Sequence, residues 1–221
     1  MVLKETTGEF GPRMEKTLFR PANVFLTASK SGKLTSYHFN IWLTEVFLPK
    51  TGSQSVLLLD SWSGHCPSTF QQNILANKQV IALTIPKGTT GLIQPLDVFG
   101  FRIWKNFVRT FSDRVLLYNL DVNLHLRNNI IKLQSLTHIQ LSSPRFQELF
   151  KYAWYKSGYL EQRPSRFENP VDFSFNFLEA YTLPRCHLCN KPAIIRCAWC
   201  KKYLCIEHFF DEHHACENYV E

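Results

Sequence analysis

The densest chemistry lies near the C-terminal end. Six of the seven cysteines fall within residues 186–216, in the order Cys186-x-x-Cys189, Cys197-x-x-Cys200, Cys205-x-x-His208, then His213, His214 and Cys216. Thiolate and imidazole are the ligands that tetrahedral zinc takes, and a Cys-x-x-Cys pair brings two thiolates to one ion. The opening residues MVLKETTGEF lack the apolar core of a signal peptide, so zinc is expected in place of disulfides. With His187 set aside as pointing away between its cysteines, the ligands exceed by one what two four-coordinate sites need. Alternation of the pairs predicts an interleaved arrangement. One site would take Cys186, Cys189, Cys205 and His208; the other would take Cys197, Cys200, Cys216 and either His213 or His214. Reduced cysteines without metal are the alternative reading. Cys66 stands apart and reads as a small buried hydrophobe.

A second constellation is made of carboxylates. LLLDSWSGHCP, residues 57–67, ends an apolar run on Asp60 and follows it with His65; IPKGTTGLIQPLD, residues 85–97, ends on Asp97. Two carboxylates brought together can hold Mg²⁺, and a metal pair can activate water and stabilise the leaving oxygen in phosphodiester cleavage. The same aspartates would also serve simpler ends, Asp60 as a turn cap and Asp97 as a helix N-cap.

The elements that must carry these residues follow from periodicity. Residues 36–49 place apolar side chains at 39, 42, 43 and 46, which predicts an amphipathic helix opened by Ser36 and stopped by Pro49. The continuous apolar runs 55–60 and 79–86 predict strands buried on both faces of a central α/β sheet. Pro67 would open a helix running to about Ala76. The two-glycine segment 87–95 predicts a loop, and a helix should run from Asp97 to about Ser112. On it Phe101, Trp104, Val108 and Phe111 form one stripe, and Arg102, Lys105 and Arg109 an adjacent basic one. Helices are expected over 113–134 and 145–157, and an irregular aromatic connector over 168–185. Asp60 would then stand at the C-terminal end of a central strand, the edge where open α/β sheets build their sites.

Composition sets the partner class. Apolar residues make up 45%, enough for a packed core, and the apolar runs are too short to span a bilayer. A soluble, intracellular protein is expected. The formal charge is +7, while residues 184–221 balance to zero, so the whole excess lies in residues 1–183. A basic body suits a polyanion such as nucleic acid, or is merely a solvated surface.

The motifs carry a resemblance. LLLDSWSGHCP resembles the second-aspartate motif of the pogo/Tigger/jerky-type transposases of the mariner superfamily, and IPKGTTGLIQPLDVFGFRIWK resembles that family's third-carboxylate motif. FLTASKSGKLTSYHFNIWLTEVFLP is similar to the helical segment preceding the second aspartate. The likeness covers about residues 22–112. It implies an RNase H-like fold and metal-dependent DDE cleavage and strand-transfer chemistry. Asp60 would be the second metal carboxylate and Asp97 the third, His65 the motif histidine, and Thr90, Gln94 and Pro95 loop positions shaping the site. The family's first aspartate has no counterpart: residues 1–59 contain no aspartate, and their acids are Glu5, Glu9, Glu15 and Glu45. The helix-turn-helix region is also unmatched, so the chain resembles the rear part of a transposase, either a domesticated fragment or a truncated copy. The tail resembles B-box and RING-like cross-brace modules and the cysteine-rich C-terminal domains of piggyBac-type transposases.

Together these readings predict three parts: an incomplete RNase H-like α/β domain over 1–115, a helical extension and connector over 116–183, and a cross-brace zinc module over 184–221. The expected function is that of a transposase-derived, DNA-binding nuclear protein with two zinc ions, Mg²⁺ at Asp60 and Asp97, and no cleavage by this polypeptide alone. The alternative is an interaction protein whose zinc module docks a partner while the older fold serves as scaffold.

Overall fold

The computed structural model describes residues 1–65, 70, 72, 74, 77–176, 184–214 and 216–220. It divides into two compact units, Met1–Arg20 with Val24–Gln94, and Pro21–Asn23 with Pro95–Glu221.

In the first unit, strand β1 (Val2–Lys4) pairs in parallel with β2 (Thr27–Ser29), and helix α1 (Pro12–Thr17) lies between them in sequence. Strand β3 (Gln54–Leu59) pairs in parallel with β4 (Gln79–Thr84), in the register Val56↔Ile81 and Leu58↔Leu83. The helix preceding β3 has three parts: α2 (Ser36–Ile41), a wider π-type turn Trp42–Phe47, and α3 (Leu48–Lys50). Its buried apolar residues are Phe39, Leu43 and Leu48, and His38 is buried beside them. The step from 43 to 48 is one residue longer than a regular turn allows, and the widened turn absorbs it. The same widening lets Pro49 sit inside the final turn and not end the helix before it, since a proline ring clashes with the carbonyl four residues back in a regular α-helix. Ser36 is the first helical residue and Thr35 the cap position; the Thr35 hydroxyl meets His38 Nδ1 at 2.6 Å and not a backbone amide.

The β3–β4 pair departs from the expectation of two buried faces. Leu57, Leu59 and Val80 pack on Phe39, Leu43 and Leu48, with Phe70 and Ile74. On the opposite face Val56 is 56% exposed, Ile81 51% and Leu83 49%. An apolar run reports that a face wants cover, not that a covering layer is there, and among the described residues the sheets have two strands each. The helix expected from Pro67 to about Ala76, and Cys66, lie largely or wholly outside the described residues.

The second unit is built on helices. A short helix α4 (Thr90–Ile93) closes the first unit; a π-type turn, Leu96–Gly100, then leads into α5 (Phe101–Leu117). Helix α5 buries Ile103, Phe107, Phe111, Arg114 and Val115. This stripe is rotated from the expected one: Phe101 is 43% exposed, because Ile103 and Phe107 point into the core between the flanking Trp104 and Val108. Asn119, at φ 48°, ends the helix, and α6 (Arg127–Leu141) starts after a turn, so 113–134 is not one helix. An asparagine accepts that left-handed backbone more readily than most residues. Trp104 Nε1 donates to Gln134 Oε1 at 2.9 Å and ties α5 to α6. A single 3₁₀ turn, Pro144–Phe146, leads into α7 (Gln147–Lys156). The connector contains α8 (Pro170–Phe175), capped by Asn169, whose side chain accepts from Val171 N at 3.0 Å.

The tail forms a small antiparallel hairpin, β5 (Ile195–Arg196) and β6 (Tyr203–Leu204), followed by a helical turn Glu207–Asp211. Its buried Ile194, Ile195, Leu204, Phe209 and Phe210 belong to the same core as Phe107, Phe111, Leu133, Leu136 and Phe175. The Phe111 ring lies 5.8 Å from Phe209 and 5.5 Å from Phe210. Buried Arg114 donates from Nη1 to Ile194 O at 3.1 Å and from Nη2 to Phe175 O. The tail therefore folds against an apolar core that it shares with the helices, and not around metal alone. Among the described residues no helix is long and apolar enough to cross a membrane.

Candidate metal centres and carboxylate sites

The two Cys-x-x-Cys segments adopt one local geometry. Cys186 N donates to Lys191 O at 2.7 Å and Asn190 N to Cys186 O at 3.1 Å; Cys197 N donates to Lys202 O at 2.9 Å and Lys201 N to Cys197 O at 2.9 Å. In each, the residue after the second cysteine takes a left-handed backbone, Asn190 at φ 61° and Lys201 at φ 62°. The chain turns back at once, and both thiols face the same side.

These turns assemble two ligand sets: Cys186, Cys189, Cys205 and His208, and Cys197, Cys200, His214 and Cys216. Within each set the ligand atoms all lie within 4.8 Å of one another. Cys189 Sγ is 3.6 Å from Cys205 Sγ, Cys205 Sγ is 3.2 Å from His208 Nδ1, and Cys200 Sγ is 3.6 Å from His214 Nε2. A tetrahedron with Zn–S bonds of about 2.3 Å has edges of about 3.8 Å, so the spacing and donor chemistry fit zinc. The interleaving matches the expected order of pairs. Of the two histidines left open by the sequence, His214 joins the cluster; His213 Nε2 lies 2.8 Å from Ser135 Oγ. His187 is exposed. Nε2 of His208 lies 3.9 Å from Glu212 Oε1, beyond hydrogen-bond length.

The thiols are not equivalent. Burial alone would raise Cys186, but amide N–H bonds from Leu188, Cys205 and Cys189 outweigh it and bring it down to about 6. Burial pushes Cys197 up to about 12 and Cys205 up to about 11, and raises Cys216. Burial, with Lys202 nearby, lowers His214, keeping the imidazole in the neutral form that ligates metal.

Asp60 directly follows β3 in the first unit. Its Oδ1 accepts from Trp62 N–H at 3.1 Å and lies 3.1 Å from His65 Nδ1, which also faces Asp60 O at 3.1 Å. The His65 ring rests on Phe39, centroids 4.7 Å apart, and meets Trp62 edge-on. The carboxylate is thus fixed by a turn bond and a histidine while its side chain remains 43% exposed. Asp97 lies in the second unit, in the first turn of Leu96–Gly100, and is exposed. Thr90 starts α4, Gln94 follows it, and Pro95 is the buried cap of the next turn. Gln94 Oε1 is buried without a partner among the described residues. These carboxylates are hard oxygen donors of the kind Mg²⁺ prefers. Arg102, Lys105 and Arg109 are all exposed on one face of α5.

Ligand spacing alone does not report the left-handed residues behind each Cys-x-x-Cys pair. Nor does it report the polar residues on α6 that reach the tail. The asparagine at 190 was a readable signal for the first; polar residues within an otherwise helical pattern give none for the second.

The DDE superfamily endonuclease family matches residues 10–156, and the Tc5 transposase C-terminal domain matches residues 154–216. No curated protein and no solved structure gave a match. The boundary between the two matches falls at the end of α7, where the endonuclease part gives way to the segment leading into the cysteine-rich tail. The chain belongs to the DDE superfamily endonucleases and is transposase-derived, of the pogo/Tc1/mariner type, with a transposase C-terminal domain following the endonuclease domain.

Proposed function

We propose that this polypeptide is a nuclear DNA-binding protein, that its tail holds two zinc ions, and that it does not cut or join DNA unaided. The observation carrying the DNA reading is the basic face of α5, with Arg102, Lys105 and Arg109 all exposed three and four residues apart and close in sequence to Asp97. Lys and Arg on one face engage phosphates without reading sequence. Asp60 and Asp97 each offer a carboxylate to a divalent cation of the kind DDE endonucleases use, which when bound would supply an activated water and charge stabilisation for phosphodiester chemistry. The chain's own part is to fix these groups: the Trp62 amide and His65 hold the Asp60 carboxylate, and Phe39 holds the His65 ring. Two carboxylates without a third would hold such an ion weakly. Residues 1–59 offer no aspartate to complete the set, and Glu15 is engaged with Arg20.

Zinc is the ion that the Cys₃His chemistry of both tail clusters fits, and it would lock the hairpin and final turn onto the helical core. Metal content of the purified chain, with retention of labelled duplex DNA at low salt, tests the reading. Two zinc ions and salt-sensitive retention are expected. Failure to retain DNA at low salt would refute the DNA-binding role.

A further inference from the structure

Helix α6 meets the tail with polar side chains as well as apolar ones. Gln140 is fully buried, and both ends of its amide engage the second Cys-x-x-Cys turn. Its Oε1 accepts from Ala198 N–H at 2.6 Å and its Nε2 donates to Cys197 Sγ at 3.6 Å. The backbone amide can only donate, so the oxygen must face Ala198, which leaves the NH₂ group for the sulfur. Adjacent contacts reinforce the seat. Trp199 Nε1 donates to Ile139 O at 2.5 Å, and Ser143 Oγ donates to Ala198 O at 3.2 Å. Earlier on the same helix, Ser135 Oγ lies 2.8 Å from Nε2 of His213, the neighbour of the ligand His214, and Lys132 Nζ donates to Asp211 O at 2.8 Å. Among the described residues, no hydrogen bond from α6 reaches Cys186, Cys189, Cys205 or His208.

We infer that α6 is a template for the second centre, with Gln140 as the positioning residue that holds Cys197 ready for metal, while the first centre is organised within the tail itself. The inference rests on the proposed metal binding of the tail. An N–H donor aimed at a thiolate stabilises its charge and fixes its direction, and loss of such an outer partner weakens metal binding about 10–100-fold. The chain's two centres, alike in their ligands, would therefore differ in their dependence on the helix. By linkage, filling the second centre would also stabilise α6 against unfolding.

The test uses the full chain and the variants Gln140→Leu and Gln140→Glu. The glutamate keeps an acceptor for Ala198 N–H but sets a carboxylate against the Cys197 sulfur, so it separates the two halves of the contact while conserving size. Metal is read by competition with a chromophoric chelator and by ¹¹³Cd NMR of the cadmium-loaded protein. The wild-type chain should take two ions and show two resonances. Both variants should weaken one ion about 10–100-fold and shift one resonance, leaving the other ion and resonance in place. Equal weakening of both centres, or none in either variant, would overturn the assignment. A wild-type chain that takes up no metal would overturn the metal reading itself, a result distinct from two ions indifferent to Gln140.

Discussion

Replacing Arg102, Lys105 and Arg109 together by glutamine tests the DNA-binding face through its salt dependence. From Arg102 to Arg109 is seven residue steps along α5, about 10 Å along the axis at roughly 1.5 Å per residue. That length matches the rise of roughly three phosphates on one strand of duplex DNA. Each phosphate contact contributes about 0.9 to the slope of log affinity against log salt, so three contacts contribute about 2.7. Raising salt fourfold would then weaken the wild-type chain about 40-fold more than the variant. Glutamine keeps the inner part of each aliphatic stem and removes the charge, and the salt slope reads the charge. Fluorescence anisotropy with an end-labelled duplex, at several salt concentrations and with two unrelated sequences, gives the slopes. The variant's line should be flatter by about 2–3 for both sequences. Parallel lines for the two proteins would mean that the stripe does not touch phosphate and serves solubility.

Other consequences follow from the core and the metal centres. Phe111→Ala should cost about 3–5 kcal/mol in chemical denaturation, because the ring is fully buried between α5 and the tail's Phe209 and Phe210. Arg114→Leu leaves the carbonyls of Ile194 and Phe175 without their buried donor, at about 1–3 kcal/mol for each, read in the same assay. His214→Ala should remove one of two zinc ions, whereas His213→Ala should retain both, as counted by metal analysis. Metal uptake near neutral pH should release protons, because burial holds Cys197 and Cys205 as thiols, at about 12 and about 11, until metal displaces the proton. Lowering the pH should therefore weaken binding. Calorimetry in buffers of different ionisation enthalpy measures the release.

Local chemistry was more legible than layering. The interleaved ligand sets were readable because Cys-x-x-Cys spacing fixes which thiols share a turn, and alternation leaves few ways to close two tetrahedra. The choice between His213 and His214 was not, since it depends on the left-handed backbone at His213, φ 53°, and on Ser135 from a helix far back in the chain. Strands β3 and β4 were readable within a residue or two from their apolar runs. Their exposed faces at Val56, Ile81 and Leu83 were not, because hydrophobicity does not report whether a second layer is present. The widened turn Trp42–Phe47 was likewise hidden: period counting assumes regular helix, and the extra residue before Leu48 shifts which side chains meet the sheet. Basic residues on α5 were legible as one stripe, while the buried stripe beside it was misplaced by Phe101.

This transposase-derived chain is proposed to engage DNA without breaking it. The direct measurement is incubation of the purified protein with supercoiled and end-labelled duplex DNA in Mg²⁺ and in Mn²⁺, with Asp60→Ala and Asp97→Ala variants alongside. Salt-sensitive binding with no nicked, linear or joined product is the predicted result. Nicking by the wild-type chain that disappears in either variant would mean that the chain does break DNA and that another group, such as Glu45 or a second chain, completes the carboxylate set.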